Sequence, residues 1–225
     1  MSKELREAYN QIAESYLSKK QPPWQDFLRF LGMLEWEQQS TVIDIGAGNG
    51  RNLLGISADL HIAFDLSPEL LRGYVGPAGG QRIAGALPKL PFRDQSSDRI
   101  ICIAVIHHIR ERQEIIKSLM DIRRTGTQTC KYIFSVWRRW RRGLREKLVQ
   151  AIKEGKDTDQ LINHDRPWYN SQREIQATRF YHYYTYQELY QQLTEVELYP
   201  KTVKYLGGRH DDGNIFVEVC SQKTR

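Results

Sequence analysis

A glycine-rich loop at the end of an apolar run is the feature that most constrains the fold of this chain. Residues 41–50 read TVIDIGAGNG, so a β-branched run is followed directly by glycines at every second position. Glycine adopts positive φ at little cost and lets a ligand approach the backbone, and a helix that starts after such a loop presents free N–H groups. A second apolar run, HIAFD, follows at 61–65. The segment is typical of a strand–helix–strand unit. The glycines either form a ligand-binding loop or serve only to make a tight turn.

The same alternation continues through the rest of the chain. We predict further strands near 82–84, at 99–106 and at 131–137, and helices near 51–57, after Ser67, at 111–124 and at 185–195. Strands that alternate with helices form a parallel sheet with helices on both faces. The last two predicted strands, at 196–206 and 214–221, are joined by GGRHDDGN and indicate a hairpin that ends in an antiparallel strand. The predicted class is therefore α/β.

Length and segment composition predict one domain that spans residues 1–225. A chain of 225 residues is long enough to bury a core without disulfides or metals. Two helices between residues 4 and 35 precede the first strand. A basic segment at 138–178, with a helical piece near 143–154, interrupts the alternation after the fifth strand, and we interpret it as an insertion within the domain.

Cysteine usage and hydropathy indicate a reducing compartment. Cys102, Cys130 and Cys220 lie far apart in apolar runs, and none forms a C-x-x-C pair. They are typical of buried thiols and predict no metal site. No stretch approaches eighteen uninterrupted apolar residues, and the first residues lack the apolar core of a signal peptide. We therefore expect a cytoplasmic protein without a membrane partner.

Two acidic residues near the glycine loop indicate what kind of ligand it binds. Asp44 precedes the loop, and Asp65 ends the second predicted strand, where a carboxylate can accept both hydroxyls of a ribose. A dinucleotide-binding fingerprint would need its third glycine one residue later. The acidic residue followed by G-x-G-x-G resembles the first motif of the class I methyltransferases that use S-adenosylmethionine. The resemblance implies a Rossmann-like, seven-stranded, mostly parallel sheet with an antiparallel last strand.

The resemblance also implies where S-adenosylmethionine binds as the cofactor. Asp44 is expected near its ammonium, Asp65 at its ribose, and the loop beneath its methionine part. Many relatives carry an acidic residue after the third strand to hold adenine, but Gly85 stands there in this chain. Adenine recognition is therefore expected around Ala86 and Leu87. The complete set of expected cofactor-binding residues is Tyr9, Asp44, Gly46, Ala47, Gly48, Gly50, Asp65, Leu66, Ala86, Leu87 and Ala104.

Three further stretches narrow the resemblance. AYNQIAESYLSKKQPPW at 8–24, IAVIHHI at 103–109 and TRFYHYYTYQEL at 178–189 resemble the tRNA wobble-uridine methyltransferases, including the domain fused to AlkB-type dioxygenases. Those enzymes methylate the carboxylate of 5-carboxymethyluridine in the anticodon loop to its methyl ester. The resemblance implies tRNA as a partner, together with a small zinc-binding activator subunit that forms a heterodimer with the enzyme.

A carboxylate acceptor needs positioning rather than a general base, because it is already an anion at neutral pH. Arginine, histidine and tyrosine side chains can hold a carboxylate and stack on uracil. Residues of these types near the expected site form the predicted catalytic group. Its members are His108, Arg179, Tyr181 and His182. Neighbours on a strand point to opposite faces, so we expect only one of His107 and His108 to line the site, and favour His108. The aromatic run at 180–190 has a core stripe as its alternative role.

The segment VWRRWRRGLREKLVQ at 136–150 concentrates the charge of a chain whose net charge is +6. It follows the fifth predicted strand, at the end of the sheet where ligands bind in open α/β folds. Gly143 interrupts a narrow apolar stripe, which disfavours a membrane-surface helix. A solvated helix with its tryptophans in the core remains an alternative to phosphate contact. The predicted RNA-binding residues are Lys20, Arg110, Arg138, Arg139, Arg141 and Arg142.

Two other functions compete with tRNA methylation. One is a methyltransferase for a small molecule, such as a quinone or a carboxylic acid, which the basic segment disfavours. The other is a non-catalytic subunit that binds RNA or scaffolds a partner. The presence of both aspartates and all three loop glycines disfavours the loss of cofactor binding.

Overall fold

The main sheet of the computed structural model has seven strands in the order β3-β2-β1-β4-β5-β9-β8. The structure describes residues 1–19, 22–36 and 39–222. The strands are β1 (Gln39–Ile45), β2 (Ala58–Asp65), β3 (Gln81–Ala84), β4 (Ser97–Ile103), β5 (Gly126–Trp137), β6 (Asn163–Tyr169), β7 (Ile175–His182), β8 (Tyr199–Leu206) and β9 (Asn214–Cys220). β1 to β5 are parallel, and β9 is antiparallel to β5 and β8. The predicted α/β class, with a mostly parallel sheet and an antiparallel last strand, is confirmed.

Helices cover both faces of this sheet. They are α1 (Lys3–Leu17), α2 (Gln25–Leu31), α3 (Pro68–Arg72), α4 (Arg112–Thr125), α5 (Leu144–Lys153), α6 (Asp159–Ile162) and α7 (Tyr186–Glu195). Side-chain caps start several of them, as where Thr185 accepts a hydrogen bond from the Glu188 amide. Among the described residues, no helix has both the length and the apolar composition needed to span a lipid bilayer.

Alternate residues of the central strands pack into two hydrophobic cores, one on each face of the sheet. On β1, Val42 belongs to one core, which includes Phe27 and Phe30 of α2. Ile43 and Ile45 belong to the other core, which includes residues of α4 and α7. A strand that is covered on both faces needs apolar residues at successive positions, which explains the continuous apolar runs in the sequence.

Two local departures from the predicted elements change the shape of the ligand-binding edge. The helix expected near 51–57 is only a short 3-10 helix, Arg51–Gly55. The strand expected to reach residue 106 ends at Ile103, because Ala104 adopts φ +61° and turns the chain out of the sheet. A second 3-10 turn, Ile106–His108, follows.

The basic segment after β5 contains more structure than its polar composition indicates. The helical piece expected near 143–154 is α5, and it is followed by α6 and a β-hairpin made of β6 and β7. This hairpin is a separate two-stranded sheet. It packs on α1, where Ala177 and Trp168 join a small apolar cluster with Ala8 and Ile12. The hairpin lies beside the carboxyl ends of the parallel strands and forms a wall that was not predicted from the sequence.

Candidate active site

A cavity of about 570 Å³ lies at the carboxyl ends of β1, β2 and β4. Its floor is the glycine loop, and α1 and the β6–β7 hairpin close its other sides. Most of the expected cofactor and catalytic residues meet here. Those that line the cavity are Tyr9, Gly46, Ala47, Gly48, Asp65, Leu66, Leu87, Ala104, His108, Arg179 and Tyr181.

The glycine loop is held by backbone contacts and has no room for side chains. The amides of Gly46 and Ala47 donate to the Phe64 carbonyl at 2.7 and 3.1 Å, which ties the loop to β2. Gly46 has φ +73°, and a Cβ atom at this position would lie 2.2 Å from Val105 Cγ2. Gly46 is therefore required both by its backbone conformation and by the close approach of a buried side chain.

A pair of alanine substitutions separates these two requirements. Gly79 has φ +79° but nothing within 4 Å of its missing Cβ, so Gly79→Ala tests the conformation alone. We expect it to cost about 1–2 kcal/mol of stability. Gly46→Ala should cost roughly 1–3 kcal/mol more because of overpacking against Val105. Denaturant unfolding measures both, and equal losses would show that the contact with Val105 is easily relieved.

The two acidic residues form a buried pair beneath the loop. Asp65 accepts the Gly48 amide on Oδ2 and the Ser67 amide on Oδ1, each at 2.7 Å. Asp44 Oδ2 is buried and has no hydrogen-bond partner within the described part of the chain. Burial, followed by the charge of Asp65, raises the pKa of Asp44 to about 8. Burial raises the pKa of Asp65 to about 6, against the opposing hydrogen bonds from Ser67 and Gly48.

These residues fit the cofactor that the sequence resemblance implies. An orphaned buried carboxylate oxygen at Asp44 suits an ammonium group, which would restore its ionised form. Asp65 lines the cavity and keeps unused acceptor capacity for hydroxyl groups. The glycine cradle leaves backbone atoms open to a ligand. The chain thus offers a hydroxyl-binding carboxylate, Asp65, in the cavity lining and an orphaned carboxylate, Asp44, directly behind the glycine loop.

Three expected cofactor residues lie outside the cavity lining: Asp44, Gly50 and Ala86. Asp44 lies just behind the loop. Gly50 has φ +73° and packs so closely on Tyr74 that a Cβ would lie 2.4 Å from its ring, so its role is structural.

Gly85 lines the cavity in place of Ala86, and its lack of a side chain has a steric cause. A Cβ at this position would lie 2.5 Å from the Phe64 ring. The acidic residue that many relatives carry here would not fit beside Phe64. Leu87, which was expected at the adenine end, does line the cavity.

Both neighbouring histidines face the cavity, whereas strand geometry predicted only one. His107 and His108 are buried and lie in the 3-10 turn after β4, where the two-residue alternation of a strand does not apply. The expectation for His108 as a lining residue agrees with the structure, and the exclusion of His107 was wrong. Burial lowers the pKa of both imidazoles, to about 4 for His108, so both are neutral at pH 7.

The tautomer of His108 follows from its partners. Nδ1 lies 2.7 Å from the Phe180 carbonyl, which can only accept, so Nδ1 carries the proton. Nε2 therefore accepts the hydroxyl hydrogen of Tyr9 at 2.9 Å. Because the lone pair of Nε2 is engaged by Tyr9, His108 orients that hydroxyl and has no free basic nitrogen toward the cavity.

Two arginines oppose each other across the hairpin. Arg166 of β6 pairs in register with Arg179 of β7, and both line the cavity. Arg179 is only 7% exposed, and its guanidinium lies over three aromatic rings, the nearest being Trp168 at 4.8 Å. Arg166 lies over Trp137 at 4.9 Å. Neither forms a salt bridge within the described residues. Like charges directly opposite each other destabilise a strand pair, so this pair suits an anionic ligand.

Aromatic side chains form the wall beside the arginines. Trp137 stacks on Tyr181 with ring centroids 4.4 Å apart and an interplanar angle of 28°. Trp137, Arg166 and Trp168 line the cavity but were not predicted from the sequence. Alternating positions in NHDRPWY, residues 163–169, place Arg166 and Trp168 on one face, and this period of two was the signal that could have revealed them.

His182, which was expected in the catalytic group, lies outside the cavity lining. Its Nε2 is 2.7 Å from Glu188 Oε1, and its Nδ1 is 2.5 Å from Asn163 Oδ1. Arg139 pairs with the same Glu188 at 2.8 Å. His182 and Arg139 therefore fasten the base of the hairpin to α7. This placement corrects two expectations, the substrate contact for His182 and the RNA contact for Arg139.

The other expected RNA-binding residues lie at different places in the structure. Arg110 pairs with Asp165 on the outer side of the hairpin. Arg138 lies over Tyr205 and donates to the carbonyls of Trp140 and Asp212, so its guanidinium is engaged within the fold. Lys20 lies outside the described residues.

Arg141 and Arg142 line a second cavity next to the first. Among the residues described, no group of three histidine, cysteine or acidic side chains is close enough to hold a metal ion.

Known proteins with similar sequences include methyltransferases. A family model described as "Methyltransferase domain" matches residues 43–129. The tRNA (carboxymethyluridine(34)-5-O)-methyltransferase of Mus musculus is 35% identical over 60% of this chain, and that of Saccharomyces cerevisiae is 32% identical over 66%. The alignments cover 20% and 54% of those two proteins, so this chain spans at most about half the length of these curated relatives.

Solved structures show a likeness in fold alone, because their sequence identities are low. A chain in the complex between the Haloferax volcanii Trm112 methyltransferase activator and the putative methyltransferase superposes with a TM-score of 0.69 at 12% identity. The superposition covers 98% of this chain and 99% of that chain. A methyltransferase from Methanosarcina mazei, described as S-adenosylmethionine-dependent, gives 0.64 at 16% identity, covering 85% and 96%. The chain thus has the fold of class I methyltransferases, residues 43–129 match the methyltransferase domain model, and the sequence resembles the tRNA carboxymethyluridine methyltransferases.

Proposed function

We propose that this chain uses S-adenosylmethionine to methylate the carboxylate of 5-carboxymethyluridine at the wobble position of tRNA, which forms the methyl ester. One observation carries the proposal. Arg166 and Arg179 face each other in the cavity without a carboxylate partner among the described residues, and they adjoin the glycine loop that fits the cofactor. The names of the mouse and yeast relatives support the same acceptor.

In this proposal the protein binds and orients the acceptor. Bound S-adenosylmethionine supplies the electrophilic methyl group. Arg179 and Arg166 hold the acceptor carboxylate by charge-assisted hydrogen bonds. Tyr181 and Trp137, which already stack on each other, give the uracil an aromatic surface. Tyr9 directs its hydroxyl hydrogen to His108, and its oxygen shares a side-chain hydrogen bond with Arg179, so Tyr9 helps to position that guanidinium.

The electrostatics of the site favour a carboxylate over an amine acceptor. Methylation of an amine leaves a cation or releases a proton, and two arginines in a buried site oppose the cation. Removing the proton would need a general base. The Nε2 lone pair of His108 is already engaged by Tyr9, and burial holds the pKa of His107 well below its usual range, which makes His107 a weak base. A carboxylate needs neither stabilisation of a cationic product nor a general base, because it enters as an anion and leaves as a neutral ester.

Nucleoside mass spectrometry tests the proposal directly. Purified protein is incubated with S-adenosylmethionine and with tRNA that carries 5-carboxymethyluridine, and the digested nucleosides are compared before and after reaction. We expect the carboxymethyluridine peak to fall and the corresponding methyl ester to rise by the same amount. Methylation of another nucleoside would contradict the acceptor. Label in small-molecule extracts without label in tRNA would favour a quinone or carboxylic-acid methyltransferase.

The pH dependence of the chemical step distinguishes acceptor classes. The pKa values of His107 and His108 are lowered by burial, so neither titrates between about pH 6 and 8. With saturating cofactor and tRNA, we expect the single-turnover rate to be nearly constant over that range. A tenfold rise per pH unit below about pH 7 would reveal a required base and would favour an amine or hydroxyl acceptor.

We also propose a small zinc-binding activator as the protein partner and the cytoplasm as the place of action. The fold likeness to a chain from a solved complex with a methyltransferase activator supports the partner. Co-expression with such a protein is expected to raise yield and activity, measured against the same chain expressed alone. Full activity of the isolated chain, unchanged by the activator, would contradict a required heterodimer.

A further inference from the structure

A second cavity, of about 630 Å³, adjoins the candidate active site and has a different chemical character. It lies between the turn before α5, the start of the β6–β7 hairpin and the loop between β8 and β9. Its lining includes five cationic side chains and one carboxylate, that of Asp212. The cations are Arg141, Arg142, Lys147, Arg166 and Arg209.

The positive charge of this cavity is largely unbalanced. Asp212 accepts the Arg142 backbone amide at 2.6 Å, so its carboxylate is already engaged in holding the turn. Arg142 makes a long contact of 3.8 Å with Glu146, and its Nη1 lies 3.1 Å from His210 Nε2. Within the described residues, no salt bridge involves Arg141, Lys147 or Arg209. Several cations around one concave surface create a local positive potential that attracts anions.

Arg166 connects the two cavities, because it lines both. The hairpin face that carries Arg166 continues to His164, two residues earlier on β6, and His164 lines the second cavity. The His164 ring stacks on Tyr183 with centroids 5.3 Å apart and an interplanar angle of 20°. His164 Nδ1 is buried without a hydrogen-bond partner among the described residues. The second cavity therefore combines cations, an aromatic surface and an unused polar nitrogen, which are the contacts that single-stranded nucleic acids use.

We propose that the second cavity is a subsite for the nucleotide next to the acceptor, with its phosphodiester held by Arg141, Lys147 and Arg209. The inference rests on the proposed function, because it takes an RNA nucleotide to occupy the first cavity. A flat, exposed charge patch would bind any backbone in many registers. A concave subsite that shares a wall with the active site holds one neighbouring nucleotide and thereby sets the register of the acceptor.

The test compares two triple variants that remove equal charge. In the first, Arg141, Lys147 and Arg209 are replaced by glutamine. In the control, Lys117, Lys201 and Lys204, exposed residues of α4 and β8, are replaced by glutamine. The probe is a short single-stranded RNA with a central 5-carboxymethyluridine, and its dissociation constant is measured over a series of salt concentrations. Binding of S-adenosylhomocysteine verifies that each variant is folded.

The expected result is specific to the first variant. Its dissociation constant for the RNA should rise about tenfold or more, and the slope of log affinity against log salt should become shallower by roughly 0.7, since one neutralised phosphate contributes about 0.7 for a single strand. The control should stay within about twofold of the unmodified protein. Equal losses in both variants, unchanged binding by the first, or no salt-dependent RNA binding by the unmodified protein would overturn the subsite.

Methyl transfer to the same RNA separates this inference from the proposed function. If the first variant loses RNA binding but the unmodified protein transfers no methyl group, the subsite stands and the proposed reaction fails. If methyl transfer occurs and the first variant binds like the unmodified protein, the reaction stands and the subsite fails.

Discussion

Replacing Arg179 by glutamine is expected to lower kcat/KM for a carboxylate-bearing tRNA by about 100-fold to 1000-fold. A buried, preorganised contact to a charged group in an active site contributes roughly 3–4 kcal/mol to transition-state stabilisation. Arg179 is 7% exposed and has aromatic rings, not a carboxylate, around its guanidinium. Lysine at this position keeps the charge but loses the planar fork, so Arg179→Lys should recover only part of the activity.

The same substitution should leave the folded state intact or make it more stable. Arg179 lies opposite Arg166 and holds a buried charge without an ion-pair partner in the described structure, which is unfavourable before a ligand binds. Loss of activity together with an unchanged or higher melting temperature is the signature of a ligand-binding arginine. A structural arginine would show both losses together.

Arg110→Gln is the matched control for this experiment. Arg110 is a second arginine that contacts the hairpin, but it is 57% exposed and pairs with Asp165. An exposed ion pair contributes little to stability, and the residue does not line the cavity. We expect activity within about twofold of the unmodified protein. Comparable losses for Arg110→Gln and Arg179→Gln would contradict the assignment of Arg179 as the carboxylate-binding residue.

Replacing Asp44 by asparagine is expected to weaken S-adenosylhomocysteine binding by about 10-fold to 100-fold. A hydrogen bond that involves a charged group contributes roughly 1.5–3 kcal/mol, and Asp44 has the orphaned oxygen that suits the ligand ammonium. Calorimetric titration measures the loss. Affinity that is unchanged in the variant would contradict the position of the ammonium.

The pH dependence of stability gives an independent test of Asp44. Its pKa is raised from 3.8 to about 8 in the folded, ligand-free protein. Between those values the folded state retains a proton that the unfolded state has lost, so stability falls as pH rises through this window. Asp44→Asn cannot ionise and should flatten that decline by about 1.4 kcal/mol per pH unit. Asp94→Asn, an exposed partner of Arg124, is the control that should keep the slope.

The sheet and the cofactor end of the site were predictable because their signals are local. The β-branched run, the glycines and Asp65 lie within one strand–helix–strand unit, and such a unit has few geometric solutions. After Ile103 the chain departs from the predicted strand. One residue with positive φ, Ala104, ended the strand early and turned both histidines toward the cavity. The two-residue alternation of side chains on a strand does not indicate where such a turn occurs.

The acceptor end was predicted only in part, since its residues meet through long-range pairing. Arg179 and Tyr181 were expected from their sequence motif, but Arg166 and Trp168 lie in a segment that was interpreted as a polar insertion. The pairing of Arg166 with Arg179 depends on the hairpin register and on the packing of the hairpin against α1. Neither the register nor the packing can be inferred from a local sequence pattern.

By itself, the sequence determined the α/β sheet, the glycine loop and the acidic pair, because backbone propensity and hydrophobic period act over a few neighbouring residues. The tertiary structure alone decided which charges remain unpaired. It paired Arg139 with Glu188 and Arg110 with Asp165, and it left Arg179 among aromatic rings. Charge compensation depends on distances between residues far apart in the chain, and those distances exist only once the chain is folded.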